Sequence, residues 1–157
     1  MTPPDEPADI PHVIAPPPIL YAVPLAVGLV LNHFLPLATL PAPWPRRVGV
    51  LFGALGLIAL PAIMAFRRAQ TDPRPWKPSA ALVLAGPYRF TRNPMYLGFT
   101  FVYTGVSLWL DALWPILFLP VVLVVMTRGV IAKEEAYLER RFGEPYRAYR
   151  TKVRRWL

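Results

Sequence analysis

Residues 86–98 read GPYRFTRNPMYLG and lead directly into an apolar segment, FTFVYTGVSLWL, at residues 99–110. The first stretch contains two arginines, two prolines, two glycines and two tyrosines, and such clusters of glycine, proline and polar residues mark turns. The residues from Asn93 to Leu110 carry no charge over 18 positions, which approaches the roughly 20 apolar residues of a membrane-spanning helix. The sequence therefore predicts a polar turn placed directly at the edge of a membrane.

Charged and apolar residues are separated in the same way along the rest of the chain. The 157 residues are 55% hydrophobic and yet carry a formal charge of +8. Long uncharged runs predict an all-α integral membrane protein with about four spans, near residues 18–37, 47–66, 94–110 and 112–131. The uncharged apolar run of the fourth span is short, but the side chain of Arg128 can extend from the end of the span to the membrane interface. We assign residues 18–157 to one domain and residues 1–17 to a disordered or extended proline-rich tail.

The tail and the residue composition exclude several classes of protein. The tail is acidic and has no Lys or Arg, so it is not a cleavable signal peptide. The absence of cysteine excludes disulfides, thiolate catalysis and Cys-ligated metals. His12 and His33 lack the spacing of metal ligands, and we predict no metal site. We expect membrane lipids and a lipophilic substrate as partners, and no nucleic acid.

The basic residues predict the orientation of the chain. All of them except Arg46 and Arg47 lie in residues 67–92 or after Thr127. Lys and Arg favour the cytoplasmic ends of membrane helices. The N-terminus, residues 67–92 and the C-terminus are therefore expected on the cytoplasmic side of a membrane, by interpretation the bacterial inner membrane. The loop at residues 38–46 is expected on the opposite side, where Trp44, Trp109 and Trp114 would line the interface.

Spans three and four predict a tight helical hairpin whose second helix continues into water. Asn93 and Asp111 are candidate N-caps of the two helices. The helix of span four is expected to continue to Gly143, a plausible terminating glycine. Residues 143–157 then predict a basic amphipathic segment on the membrane surface, with Tyr146 and Tyr149 on one helical face.

The hairpin places the start of span three beside the end of span four, and this predicts a polar pocket at the bilayer boundary. We expect four residues of the turn to converge on the carboxylate pair Glu134–Glu135: Arg89, Arg92, Asn93 and Tyr96. The alternative interpretation is a plain helix start whose arginines only set the topology.

Two motifs in this order resemble the isoprenylcysteine carboxyl methyltransferase family, which forms a wider group with the phospholipid N-methyltransferases. The first is GPYRFTRNPMYLG, and the second is KEEAYLERRFGEPYRAYRTKV, at residues 133–153. The resemblance covers roughly Leu82 to Val153. Asn93 stands where eukaryotic members usually have His, and an Asn cannot carry a proton at neutral pH. No glycine-rich dinucleotide fingerprint is present, and the glycines of the apolar spans are interpreted as helix-packing positions.

The resemblance implies S-adenosyl-L-methionine as cofactor, held on the cytoplasmic side between the start of span three, the end of span four and the C-terminal segment. It implies Arg92 and Glu135 as catalytic residues. The cofactor-binding candidates that it implies are Val83, Gly86, Pro87, Tyr88, Asn93, Tyr96, Glu134 and Tyr146.

The implied reaction is methyl transfer to a lipophilic acceptor that enters from the bilayer, most like carboxyl O-methylation of isoprenylcysteine. A carboxylate acceptor is already ionised and needs alignment only, so Arg92 would orient it while Glu135 fixes that Arg or the cofactor. An amine acceptor would need a base, for which Glu135 is the candidate. Phospholipids and other lipophilic amines, phenols or thiols also stay open as acceptors. A nicotinamide-dependent reductase and a non-enzymatic membrane scaffold are the alternatives from other classes.

Overall fold

The computed structural model describes residues 10–37 and 41–157, and their regular structure is helical. Residues 1–9 of the predicted tail and 38–40 of the predicted loop lie outside the described residues. Seven α-helices are described: α1 Pro17–Phe34, α2 Trp44–Leu55, α3 Ala59–Arg68, α4 Pro94–Trp109, α5 Leu113–Met126, α6 Ala132–Phe142 and α7 Glu144–Lys152.

Two short turns join four of these helices into longer rods. A 3₁₀ turn at Gly56–Ile58 connects α2 to α3, and the combined helix Trp44–Arg68 has 25 residues. A π-helical turn at Thr127–Ile131 connects α5 to α6, and the combined helix Leu113–Phe142 has 30 residues. The prediction that the helix of span four continues to Gly143 is therefore confirmed.

Three helices are long and apolar enough to cross a membrane, namely α1, α2–α3 and α5–α6. The predicted third span corresponds to α4, which is apolar but has only 16 residues. Its length of about 24 Å is less than the roughly 30 Å of a hydrocarbon core. Pro94 fixes its first turn, and the chain reverses at Asp111, whose φ is 51°. α4 therefore matches the predicted span 94–110 to within one residue, but it is shorter than the hydrocarbon core is thick.

Glycines allow α4 to lie very close to α2 at the centre of the bundle. A Cβ atom on Gly105 would be only 2.7 Å from the backbone nitrogen of Gly53, and one on Gly49 would be 2.6 Å from that of Trp109. Gly56 and Gly98 form a second close approach, with a Gly98 Cβ 3.0 Å from the Gly56 carbonyl oxygen. Small residues of this kind permit backbone contact between helices in membranes. The interpretation of the glycines in the apolar spans as packing positions is confirmed for Gly56 and Gly105, but a Cβ on Gly53 would meet no described atom within 4 Å.

Buried hydroxyl groups tie α4 to its other neighbours. Tyr21 of α1 donates to the carbonyl of Tyr96 at 3.3 Å and lies 2.9 Å from the hydroxyl of Thr100. Tyr103 donates to the carbonyl of Pro115 in α5 at 2.8 Å. Polar groups inside an apolar bundle are costly unless they are paired, so these bonds fix how α1, α4 and α5 align.

The two ends of the bundle differ in the way that the charge pattern predicts. At one end the N-terminal segment lies against the start of α6, where Ile14 N–H donates to the Gly129 carbonyl at 3.2 Å and Lys133 donates to the His12 carbonyl at 2.9 Å. At the other end the Trp114 indole donates to the Leu35 carbonyl at 2.8 Å. The N-terminal segment and both basic segments therefore lie at the same end.

The cap predicted for span four is wrong in position. α5 begins at Leu113, and Ala112 rather than Asp111 precedes it, with no side-chain capping bond. Backbone bonds close the hairpin instead, because Asp111 N–H donates to the Leu108 carbonyl at 2.9 Å and Ala112 N–H to that of Ser107 at 2.8 Å. Asp111 has a φ of 51° and lies one residue before the N-cap position.

A matched pair of alanine substitutions tests the close approach of α2 and α4. We expect Gly105→Ala to lower the free energy of unfolding by about 1–3 kcal/mol, because its Cβ would meet the backbone of α2. Gly53→Ala is the control, since its Cβ would meet no atom of the described residues within 4 Å. Thermal unfolding in detergent micelles, followed by tryptophan fluorescence, measures the difference, and equal stability of the two variants would contradict the packing.

Candidate functional site

A cavity opens at the end of the bundle where the two basic segments meet. Its walls come from the end of α3, the first two turns of α6, the start of α4, the tyrosine face of α7 and the connection at residues 69–85. Its enclosed volume is about 90 Å³. Ligand sites typically measure about 300–1,000 Å³, so a ligand of cofactor size would also fill the open mouth or displace part of the 69–85 connection.

Glu135 of α6 lies in this cavity between two guanidinium groups. Arg92, just before α4, contacts its Oε1 through Nη2 at 3.1 Å. Arg155, beyond α7, donates from Nε to Oε1 at 3.0 Å and from Nη2 to Oε2 at 2.6 Å. The Arg92 and Glu135 side chains are only 11% and 10% exposed. This group, which we call the Arg–Glu–Arg cluster, carries one net positive charge.

Arg92 keeps two donors that no group in the described residues satisfies. Its Nε and Nη1 are buried and have no hydrogen-bond partner among residues 10–37 and 41–157. Nearly all buried polar atoms in proteins are paired, and a guanidinium offers five N–H donors in a planar fork. Because Arg92 lines the cavity, these two donors are suited to hold an anionic group of a ligand.

Glu134, the neighbouring carboxylate, has a different partner. Tyr96 of α4 donates its hydroxyl to Glu134 Oε1 at 2.5 Å. Both residues line the cavity, so the two carboxylates of the predicted pair hold separate polar contacts. Glu134 has no cationic partner of the kind that neutralises Glu135 within the described residues, and its second oxygen suits a cationic ligand group.

Three further tyrosines give the cavity aromatic walls. Burial raises the pKa of Tyr88 well above its ordinary value. The pKa of Tyr146 is raised to about 12, mainly by burial and to a smaller extent by the charge of Glu135. Burial also raises the pKa of Tyr149. At neutral pH these phenols are uncharged, so they can donate hydrogen bonds and face a cation or a flat ring, but they do not act as bases.

The C-terminal segment reaches the cavity through α7. Gly143, with φ of 59°, ends α6 as predicted and lets the chain turn back. Tyr146 and Tyr149 share a face, as predicted, but that face is buried in the site and does not lie on the membrane. Tyr149 donates its hydroxyl to the Tyr88 carbonyl at 2.7 Å, which fixes α7 beside the turn before α4.

Beyond α7 the chain pairs with the residues before α4. Arg92 N–H donates to the Arg154 carbonyl at 2.9 Å. The Arg155 carbonyl accepts from the Thr91 hydroxyl at 3.2 Å and from Asn93 Nδ2 at 2.9 Å. Asn93 occupies the N-cap position of α4, as predicted, but its side-chain amide binds the tail and makes no capping bond. These backbone contacts bring the Arg155 side chain to Glu135.

The connection at residues 69–85 is held against α6 along one side of the cavity. Ser79 N–H donates to the Tyr137 hydroxyl at 2.9 Å, and Arg141 donates to the Ser79 carbonyl at 2.6 Å. Asp72 pairs with Arg74 at the rim, and hydrogen bonding to Arg74 lowers the pKa of Asp72 to about 2. This part of the site could not be anticipated, because turn-rich sequence does not specify where a long connection lies.

The structure brings together most of the predicted site residues. The cavity lining includes Val83, Tyr88, Arg92, Asn93, Tyr96, Glu134, Glu135 and Tyr146. Gly86 and Pro87 are not in the lining and form the turn that precedes Tyr88, where Gly86 has φ of 63°. Arg89 is exposed and does not join the carboxylates, so its predicted convergence is wrong.

Sequence reasoning missed Arg155 and Tyr137. Arg155 lies in a run of basic residues with no spacing signal that distinguishes it from its neighbours. Tyr137 lies two residues after Glu135 on α6, and its complete burial was not apparent from the charged sequence around it.

Comparison with known proteins adds the family. The sequence profile of the family described as phospholipid methyltransferase matches residues 48–145, more than half of the chain. The chain belongs to the phospholipid methyltransferase family. This membership confirms the resemblance to the isoprenylcysteine and phospholipid methyltransferase superfamily. The matched region runs from α2 to the start of α7, whereas α1 and most of α7 lie outside it.

The matched region contains the cavity residues apart from those of the N-terminal segment and of the chain after residue 145. A protein of Haemophilus influenzae with the description "Uncharacterized protein" is 41% identical over 63 residues, which are 40% of this chain and all of that protein. No solved structure matches the chain. Family membership identifies the chain as a membrane methyltransferase of unspecified acceptor.

The residues of the cavity fit the methyl donor that such a reaction requires. S-Adenosylmethionine carries a carboxylate, an ammonium, a sulfonium and an adenine. The unpaired donors of Arg92 suit a carboxylate, whether of the methyl donor or of an acceptor, and the Glu134 carboxylate suits an ammonium. The tyrosine walls suit the sulfonium or the adenine ring. The fit rests on these donor and acceptor types.

Proposed function

We propose that the chain is an S-adenosylmethionine-dependent methyltransferase that acts on a lipophilic acceptor at the membrane boundary, most like the carboxyl O-methylation of isoprenylcysteine. The observation that carries the proposal is Arg92, whose Nε and Nη1 are buried without partners in the described residues, in a cavity that also holds the Tyr96–Glu134 pair. The Arg92 donors suit an anionic group, and the Glu134 carboxylate suits a cationic group. The cavity is therefore suited to hold the zwitterionic methyl donor beside an anionic acceptor.

Each polar residue has a distinct role in the proposed reaction. When bound, S-adenosylmethionine supplies an electrophilic methyl group on a positively charged sulfur. Glu134 holds the ammonium of the donor, and Tyr96 fixes the position of Glu134. The phenols of Tyr88 and Tyr146 remain neutral beside the positive sulfur. Arg92 orients an anionic acceptor, for which alignment of the reacting atoms is the main requirement.

The surroundings of Glu135 favour an acceptor that needs no base. Both of its oxygens accept hydrogen bonds from Arg155, and Oε1 also contacts Arg92, so the carboxylate is already paired with two guanidinium groups. A carboxylate acceptor is already ionised near neutrality and attacks directly. In this proposal Glu135 acts by holding the two arginines in place. This arrangement does not support the other role predicted for Glu135, that of a base for an amine acceptor.

A phospholipid or other lipophilic amine is the second candidate acceptor, and the description of the matched family favours it. With such an acceptor, Glu134 rather than Glu135 would be the available carboxylate. An apolar wall supports a lipophilic acceptor in either case. Phe66 and Met95 pack beside Val83 and Tyr88 and line the cavity on the side of α3.

One experiment decides between these acceptors. Purified protein is incubated with methyl-labelled S-adenosylmethionine and a bacterial lipid extract, and the labelled product is treated with mild base. A carboxyl ester releases its label, whereas an amine or ether retains it. Base-labile label supports the proposal, and base-stable label replaces it with the second candidate. Binding of NADPH with no binding of S-adenosylhomocysteine would support a reductase instead.

The orientation of the cavity is proposed to be cytoplasmic. The N-terminal segment, residues 67–92 and the C-terminal segment lie at one end of the bundle and hold 15 of the 17 basic residues. We expect reporter fusions after Lys77 and after Leu157 to report the cytoplasm, because Lys and Arg favour that side. Reporters that place the two sites on opposite sides of the membrane would contradict the orientation.

The proposed cofactor contact is tested by removing either partner of the Tyr96–Glu134 pair. We expect Glu134→Ala and Tyr96→Ala to weaken S-adenosylhomocysteine binding by about tenfold or more, since a charged hydrogen bond contributes about 1.5–3 kcal/mol. Glu139→Ala is the matched control, because Glu139 pairs with Arg150 away from the cavity lining. Calorimetry in detergent gives the affinities, and unchanged binding by both site variants would place the cofactor elsewhere.

The role of Arg92 is tested by conservative substitution. Arg92→Lys keeps the charge but loses the planar fork, so we expect cofactor affinity within a few-fold and turnover lower by about 10²-fold, the scale expected for a misaligned reacting group. The exposed Arg89→Lys should turn over normally. Labelled-methyl assays on the lipid extract measure both variants. Equal activities would mean that the arginines of the turn set topology only.

A further inference from the structure

The two arginines of the Arg–Glu–Arg cluster contact Glu135 in different ways. Arg155 approaches with two nitrogens, one toward each carboxylate oxygen, whereas Arg92 contributes Nη2 alone. The Nε and Nη1 atoms that Arg92 does not use toward Glu135 are the two buried donors without partners in the described part of the chain. Arg155 thus uses two nitrogens toward Glu135, and Arg92 Nε and Nη1 make no bond to that carboxylate.

We infer that Arg155 is a positioning residue that keeps Arg92 available for an anionic ligand. By occupying both oxygens of Glu135, it prevents that carboxylate from taking the Arg92 fork for itself. The inference rests on the proposed function only for the identity of the ligand, which is a carboxylate-type anion of either the methyl donor or the acceptor.

Two physical effects of Arg155 act in the same direction. A carboxylate and a guanidinium pair most strongly through two parallel hydrogen bonds, so without Arg155 the Glu135 carboxylate would draw a second nitrogen of Arg92. The charge of the cluster would also fall from one positive to zero, and a buried group of zero net charge attracts an anion less strongly. Both effects reduce the affinity of Arg92 for an anion.

The tail itself is held by contacts that do not involve the Arg155 side chain. The carbonyl groups of Arg154 and Arg155 accept from Arg92 N–H, the Thr91 hydroxyl and the Asn93 amide. Tyr149 anchors α7 independently through its bond to Tyr88. A substitution at Arg155 therefore removes the charge and the fork while the tail stays in place, which separates positioning from simple anchoring.

The experiment observes Arg92 directly. In protein labelled with ¹⁵N-arginine in micelles, the Arg92 Nε–H resonance is assigned by its loss in Arg92→Lys and then titrated with acetate. We expect this resonance to respond in the native protein, and the apparent affinity for acetate to fall about tenfold in Arg155→Met, the loss expected for one charged hydrogen bond. Arg155→Lys should be intermediate. Arg150→Met is the control, because Arg150 pairs with Glu139 outside the cavity lining.

A second substitution distinguishes charge neutralisation from structural damage. In the Arg155→Met background, Glu135→Gln removes the charge that would capture Arg92, so the acetate response should recover in part. A tail that had merely come loose would show no recovery. Equal acetate affinity in Arg155→Met and Arg150→Met, or no recovery in the double variant, would overturn the inference.

Calorimetry identifies the source of the anion. If it is the donor's carboxylate, the native protein should bind S-adenosylhomocysteine about tenfold or more tightly than its decarboxylated analogue, and Arg155→Met should lose most of this difference. If the anion belongs to the acceptor, the native protein and Arg155→Met should each bind S-adenosylhomocysteine and its decarboxylated analogue with equal affinity. Turnover on the lipid extract should then be lower in Arg155→Met than in the native protein. A native protein that binds acetate at Arg92 but no S-adenosylhomocysteine would reject the proposed function and leave the role of Arg155 standing.

Discussion

A carboxylate buried at a membrane boundary must be neutralised, and the way Glu135 is neutralised organises this end of the molecule. Removing an ion from water costs several kcal/mol even after relaxation, and only close, well-directed partners offset that cost. The two partners come from distant parts of the chain, Arg92 before α4 and Arg155 after α7. The ion pairs therefore oblige the start of the hairpin, its end and the C-terminal tail to meet at one place.

The helical scaffold brings these segments into register. Close backbone contact at Gly49 and Gly105 holds α4 against α2, so the short α4 is positioned by its neighbours rather than by its own length. The continuous rod of α5 and α6 then carries Glu134 and Glu135 past the apolar region. The π-helical turn at Thr127–Ile131 has more residues per turn than an α-helix, so it changes the phase of the side chains between α5 and α6. The direction of both carboxylates depends on this local change of phase.

Sequence alone predicted the helices, the common end of the basic segments and most of the cavity lining, because these depend on apolar length, charge and motif order. It did not predict the features that depend on a single backbone angle or on a distant partner. Asp111, with its positive φ, lies one residue before the N-cap position of α5. Asn93 is the N-cap residue of α4, but its side chain binds the Arg155 carbonyl and makes no capping bond. Arg155 could not be singled out because the extended conformation at Val153, which places it beside Glu135, leaves no mark in a uniformly basic tail.

The placement of charge and apolar surface in the cavity also limits what it can select. A cavity with one net positive cluster and tyrosine walls would hold many soluble anions, but its α3 side is closed by Phe66 and Met95. Burial of apolar surface there contributes about 25 cal/mol per Å², so a molecule with an acyl or prenyl chain gains from that wall what a soluble anion cannot. The proposed preference for an amphiphile would then arise from the pairing of the two surfaces, because neither the charge of Arg92 nor the apolar wall would distinguish it alone.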